Sequence, residues 1–205
     1  MTTKEMFENM FKMQDRLNEE MIPNWRDANL PWHRYIWTEC AEAMDSLDFK
    51  HWKHKEPDYD NLKVEMVDVI HFGLSALLQD GMEHDVVELA QIEYSYSGTY
   101  KLNNDTDVMH VLDNMVLSTP DEQLFYVLDI WHYLGGTVET LYKAYMVKNI
   151  LNYFRKSNGY KTGEYKKLWN GEEDNVVAYR IAEELAAEEL EHLPGRLQEV
   201  YNAVG

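Results

Sequence analysis

The sequence predicts an all-α fold, a bundle of several helices. Apolar residues recur at spacings of three and four along most of the chain, the period of a helix with one buried face. Five prolines and ten glycines are too few for the many tight turns of a sandwich or barrel. The 205 residues, 45% of them hydrophobic, suffice for one sizeable core. No strand hairpin, internal repeat or low-complexity linker is expected.

The first helix is expected over residues 3–21, where Phe7, Met10, Leu17 and Met21 lie near one stripe before Pro23 interrupts. Trp32, Ile36, Cys40, Ala43 and Leu47 share a narrow arc and predict a second over 32–47. Residues 50–61 read as a polar connection. A third helix is predicted over 62–78, with Gly81 as its stop. Residues 84–97 and 106–117 are also expected to be helical. Thr119-Pro120-Asp121-Glu122 combines a capping hydroxyl, proline at the first position and acids in the first turn. The helix it starts is expected to run to about Tyr145. Another is predicted over 147–157, ending at Asn158-Gly159. Residues 160–175 read as a loop, 176–191 as a Glu/Ala-rich helix, and Pro194 starts a short last one. The chain reads as one domain over 1–205, with a variable or mobile helical lobe at about 83–140.

The chain carries 37 acids against 19 Lys and Arg, a formal net charge of -18. Such a surface repels a nucleic-acid backbone, so no nucleic-acid partner is expected. No run approaches the ~18 apolar residues that span a bilayer. Charged Lys4 and Glu5 stand where a signal peptide needs apolar residues. Cys40 alone excludes an intrachain disulfide and fits a reducing compartment. A soluble, cytoplasmic protein is expected.

Against this acidity, residues 143–167 hold seven Lys or Arg and one acid, Glu164. So large a local reversal of sign points to an anion-binding surface. Lys148, Asn152 and Arg155 fall at i, i+4 and i+7 on one helical stripe. Arg offers a planar fork to phosphate oxygens and Lys a movable point charge. Tyr160, Lys161, Tyr165 and Lys167 follow in a segment that could fold over a polyphosphate. The plainer alternative is a solvated basic face near a helix C-terminus.

Glu39/Glu42 and Glu65/Asp68 are i, i+3 pairs on two predicted helices. Such a step falls about 60° short of a full turn, so each pair shares a face. Four carboxylates aimed at one point need cations, and hard oxygen ligands suit Mg2+. Glu-x-x-Glu spacings also arise by chance in an acidic chain, as at Glu5/Glu8 and Glu188/Glu191. Val64, Val69 and Phe72 beside the second pair, however, argue for a partly buried wall rather than a solvated face. Gln14 and Asn18, four apart on the first helix, carry amides able to read a nucleobase edge or simply face solvent. Trp52, beside His51, could stack on a base or cap the core. Cys40 lies on a core stripe and reads as an inert small hydrophobe.

With these stretches placed, the sequence resembles the all-α, dimeric dUTPase family, related to the wider all-α NTP pyrophosphohydrolases. The resemblance rests on Met13-Gln14-Asp15-Arg16-Leu17-Asn18, Trp37-Thr38-Glu39-Cys40-Ala41-Glu42, Phe49-Lys50-His51-Trp52-Lys53, Glu65-Met66-Val67-Asp68 and the segment from Lys148 to Asn175. It implies a helical homodimer that converts dUTP, and dUDP, to dUMP with release of pyrophosphate or phosphate. Glu39, Glu42, Glu65 and Asp68 match metal ligands for Mg2+, more than one ion per site, and Glu39 would also orient or deprotonate the attacking water. Lys148, Asn152, Arg155, Tyr160, Lys161, Lys167 and Asn175 match the phosphate- and sugar-holding segment. Gln14 and Asn18 match positions facing uracil, with His51, Trp52 and Phe72 as further base-binding candidates. A dCTPase, or an enzyme acting on both dCTP and dUTP, would use the same metal and phosphate residues. A di-iron bundle wants paired Glu-x-x-His motifs, and only Glu189/His192 fits. A nucleotide-sensing protein without catalysis would not need all four carboxylates.

Overall fold

The computed structural model describes residues 1–83, 101–185 and 187–204. The helix expected at 84–97 lies outside them, as does part of the lobe expected at 83–140. Eight α-helices account for most of the described residues. The chain divides into two compact units, 1–142 and 143–205.

In the first unit, α1 spans Thr3–Met21 as expected. It starts at a capping box in which Thr2 and Glu5 each satisfy the other's backbone N–H. α2 spans Trp32–Asp45. α3 spans Tyr59–Asp80, three residues earlier at its start than the apolar stripe suggests. The reason is polar: the Asp58 side chain accepts from the Asn61 N–H at 3.0 Å and so caps the helix. Gly81, at φ 71°, ends it. α4 spans Asp105–Leu117 and α5 Pro120–Tyr133. α3 packs against α1, α2 and α5, and α4 packs against α2 and α5. Thirteen of the 22 α3 residues are buried, among them Glu65, His71 and Ser75. A helix enclosed on so many sides has little solvated face left, so its polar residues must find partners within the protein.

The helix expected to run from Pro120 to about Tyr145 is instead broken, and α6 spans Val138–Ser157 without interruption. Gly135 takes φ 78°, open to glycine at little cost. A Cβ on Gly136 would overlap the Trp131 indole, whose Nε1 donates to Thr140 Oγ1 at 3.0 Å. The two adjacent glycines were the signal in the sequence for this corner.

In the second unit, residues 160–175 are more ordered than the expected loop. A short 3-10 turn covers Tyr160–Thr162, and β1 (Leu168–Trp169) pairs antiparallel with β2 (Glu172–Glu173). Asn170 (φ 53°) and Gly171 (φ 93°) turn the hairpin. Asn-Gly is a strong short-range signal for a two-residue hairpin turn, and it corrects the expectation of no hairpin. α7 spans Asp174–Glu183 and α8 Leu193–Asn202. Leu151, Phe154, Trp169, Val177, Ile181 and Leu197 build the core of this unit. Tyr165 stacks on Tyr201 at 5.2 Å between ring centroids. No helix among the described residues is long and apolar enough to cross a membrane.

Candidate active site

Packing α2 against α3 brings together carboxylates about 25 residues apart in sequence. One carboxylate oxygen from each of Glu39, Glu42 and Glu65 lies within 4.8 Å of the others. Glu65 is 7% exposed, Glu39 half-buried and Glu42 exposed. Asp68, half-buried one turn further along α3, is outside this group of three. Three carboxylates this close repel one another unless a cation stands among them. The donor set is all oxygen and hard, which suits Mg2+ rather than a thiophilic metal. The residues present therefore fit a divalent hard cation.

Two neighbours missed in the sequence hold this cluster. Asn61 donates from Nδ2 to Glu65 Oε1 at 3.0 Å and to Ser46 Oγ at 2.8 Å. Ser46 ends α2, and its carbonyl accepts from the Asp58 N–H at 2.8 Å. One carboxamide thus ties the end of the Glu39/Glu42 helix to the start of the Glu65 helix. The signal was present: Asn61 precedes Glu65 by four residues, one turn away on the same face. Cys40, between the two α2 ligand candidates, is buried with its Sγ 3.5 Å from Met115 Sδ. Burial, aided by the Glu39 charge, pushes its thiol up to about 12, which fits the inert role expected of it.

Gln14 and Asn18 are buried rather than solvated, and they face α3. Gln14 Nε2 donates to Asn18 Oδ1 and to Ser75 Oγ, both at 3.0 Å. Asn18 Nδ2 donates to the same Ser75 Oγ at 2.9 Å, and Gln14 Oε1 lies 2.7 Å from His71 Nδ1. His71 and Ser75 were not singled out in the sequence, although their i, i+4 spacing puts them on one face of α3. Phe72 sits in an aromatic cluster, 5.3 Å from Tyr35 and 6.2 Å from Trp32 between ring centroids. His51 and Trp52 are exposed on the turn after α2 and meet edge to face at 4.8 Å; Trp52 is 71% exposed.

In the second unit the basic segment is not the bare positive stripe its sequence suggests. Arg155 is buried and donates from Nε and Nη2 to the two oxygens of Asp174 at 2.7 and 2.8 Å. Its Nη2 also donates to Asn175 Oδ1 at 3.1 Å, and its Nη1 makes a long contact of 3.4 Å to Asn152. Lys148, buried on the same helix, donates to Asn175 Oδ1 at 3.2 Å. The Tyr165 hydroxyl donates to Asp174 at 2.7 Å. Burial pushes the Asp174 carboxyl up. The Arg155 bonds and charge, the Tyr165 hydroxyl and the Asn175 N–H outweigh it and hold the carboxyl below its ordinary value. Burial, and then the same carboxylate, drive the Tyr165 hydroxyl well above its ordinary range, so it stays a donor. Tyr160 is exposed with its ring 5.7 Å from the Arg155 guanidinium. Lys161 is exposed, and Lys167 pairs with Glu173 at 3.7 Å. Asp174 went unassigned in the sequence, although it directly precedes Asn175.

A family model described as dUTPase matches residues 6–160. The chain belongs to the dUTPase family. The matched span takes in Gln14, Asn18, all four metal-ligand candidates and the α6 stripe of Lys148, Asn152 and Arg155. The activity that goes with this dUTPase membership is hydrolysis of dUTP, and the helical architecture agrees with the all-α form of the family. Asp174 and Asn175 lie beyond the matched span, yet they are bonded to residues within it. No curated protein matches this dUTPase.

Proposed function

We propose that the chain is a Mg2+-dependent dUTPase that converts dUTP to dUMP and pyrophosphate, also accepts dUDP with release of phosphate, and works as a cytoplasmic homodimer. The observation that carries the metal dependence is the convergence of Glu39, Glu42 and Glu65 oxygens within 4.8 Å in a chain of the dUTPase family. These three, with Asp68, would hold Mg2+, more than one ion per site. When bound, Mg2+ supplies positive charge to the phosphate oxygens and lowers the pKa of a coordinated water.

Glu39 is the general base in this reading, and its partial burial suits a carboxylate that must keep one water oriented. The water oxygen bonds to the β-phosphorus as its proton passes to Glu39. The bond from that phosphorus to the α,β-bridging oxygen breaks, and dUMP leaves with the oxygen. Lys148, Arg155 and Lys167 balance charge on the phosphates, with Lys161 close by. Asn152, Tyr160 and Asn175 hold phosphate and sugar. The long Arg155 to Asn152 contact is the one a phosphate oxygen would replace, while Asp174 keeps the guanidinium aimed. Gln14 and Asn18 face the base, with His51, Trp52 and Phe72 as further base-binding residues.

A panel of deoxynucleoside triphosphates and dUDP, assayed with Mg2+ and with chelator, tests this reading. Selective turnover of dUTP and dUDP that chelator abolishes is the expected result. Efficient dCTP turnover would instead make it a dCTPase or dual enzyme, and turnover undiminished by chelator would overturn the metal assignment.

A further inference from the structure

Uracil and cytosine differ in the polarity of one edge. Uracil donates at N3 and accepts at the 4-oxygen; cytosine accepts at N3 and donates from the 4-amino group. A carboxamide that is free to turn over serves either base, because its two ends exchange donor for acceptor. What decides between the bases is then whatever keeps the carboxamide from turning over.

Ser75 is 0% exposed. Its hydroxyl has one proton, and a carbonyl oxygen can only accept, so the 2.7 Å contact to the His71 carbonyl takes that proton. Ser75 Oγ is left as an acceptor only, with two lone pairs. Gln14 and Asn18 approach it at 3.0 and 2.9 Å, and both must therefore present amino groups. Turning either amide over would set oxygen against oxygen in a buried place. The Asn18 oxygen then accepts from Gln14 Nε2. The Gln14 oxygen faces His71 Nδ1, which must carry a proton. Each orientation follows from the one before, beginning at the single Ser75 hydroxyl proton.

We propose that Ser75 is the positioning residue that sets base specificity, holding the Gln14 and Asn18 carboxamides in one orientation so that they serve uracil and refuse cytosine. The proposal rests on the reading that Gln14 and Asn18 face the base. Ser75 itself is not required to touch substrate.

The test uses the full chain and compares kcat/KM for dUTP and dCTP in the wild type and in the Ser75→Ala, Ser75→Thr and Asn18→Ala variants, with thermal midpoints recorded for each. Loss of the shared acceptor in Ser75→Ala is expected to lower the dUTP to dCTP ratio by about tenfold or more. Ser75→Thr, which keeps the hydroxyl, is expected to restore most of it. A ratio within about threefold of wild type in Ser75→Ala, while Asn18→Ala collapses it, would overturn the lock and leave the base reading standing. No change in either variant would remove the base reading and the lock together. If Ser75→Ala does not fold, nitrogen NMR of the wild type decides: a neutral His71 protonated at Nε2 and bare at Nδ1 means that Gln14 sits the other way round, and the lock does not exist.

Discussion

Arg155 and Asp174 form a two-pronged ion pair, at 2.7 and 2.8 Å, with Asp174 0% exposed. The acid comes from the first residue of α7 and the base from the last turn of α6. The pair turns a run of positive charge in the sequence into a fixed, partly neutralised donor array.

Replacing Asp174 by Ala strands a buried guanidinium, which costs about 3 kcal/mol or more. The loss appears as a lower denaturation midpoint, and it should exceed that of any single exposed pair, such as Lys167 with Glu173. The same pair sets an acid limit. A carboxyl held below its unfolded value adds stability that is fully present above that value, about 3.9, and is lost as pH falls through the folded value. Thermal unfolding followed from about pH 5 down to about pH 2.5 should show wild-type stability falling away. Asp174→Asn should show a weaker start and a shallower fall.

Glu42→Gln and Glu65→Gln are expected to weaken divalent-metal binding by more than about a hundredfold, beyond what loss of an outer-shell partner costs. Titration with Mn2+ followed by electron paramagnetic resonance reads this without an activity assay. In chelator the Glu42→Gln variant should be at least as stable as wild type, because one of three mutually repelling charges is gone. A clear loss of stability in chelator would mark Glu42 as a structural residue instead.

Asn61→Ala removes the amide that fixes Glu65 and joins it to the end of α2. Metal affinity is expected to fall by about 10- to 100-fold, the usual effect of losing an orienting partner. Asn61→Asp, which sets a carboxylate against Glu65, should be worse than Ala in the same titration.

At the corner between α5 and α6, Gly136→Ala forces a methyl group into the Trp131 indole, at a cost of about 1–3 kcal/mol. The indole would have to move, so a changed tryptophan fluorescence should accompany the lower melting temperature. Gly73→Ala is the control, since a Cβ there meets nothing within 4 Å.

Much of the fold was legible because helices announce themselves locally. The Thr2-to-Glu5 box, the stripe of Ile36, Cys40 and Ala43, and Gly81 all act within a turn or two of their own position. The misread corner at Gly135-Gly136 and the missed Asn170-Gly171 turn were also local, and both lay in glycine. The carboxylate pairs were legible for a related reason, since spacing alone puts Glu39 with Glu42 and Glu65 with Asp68 on common faces.

Spacing on one helix says nothing about which second helix it meets. That Glu65 joins Glu39 and Glu42, that Asn61 also reaches Ser46 at the end of α2, and that Ser75 meets two amides on α1 are consequences of α3 packing against both α1 and α2. The sequence by itself determined an all-α chain, two acidic faces and a basic stripe, because helical period and charge are properties of neighbours. Only the tertiary structure decided which polar groups lose water together. Burial is what makes a hydrogen-bond partner obligatory, and burial depends on every helix at once.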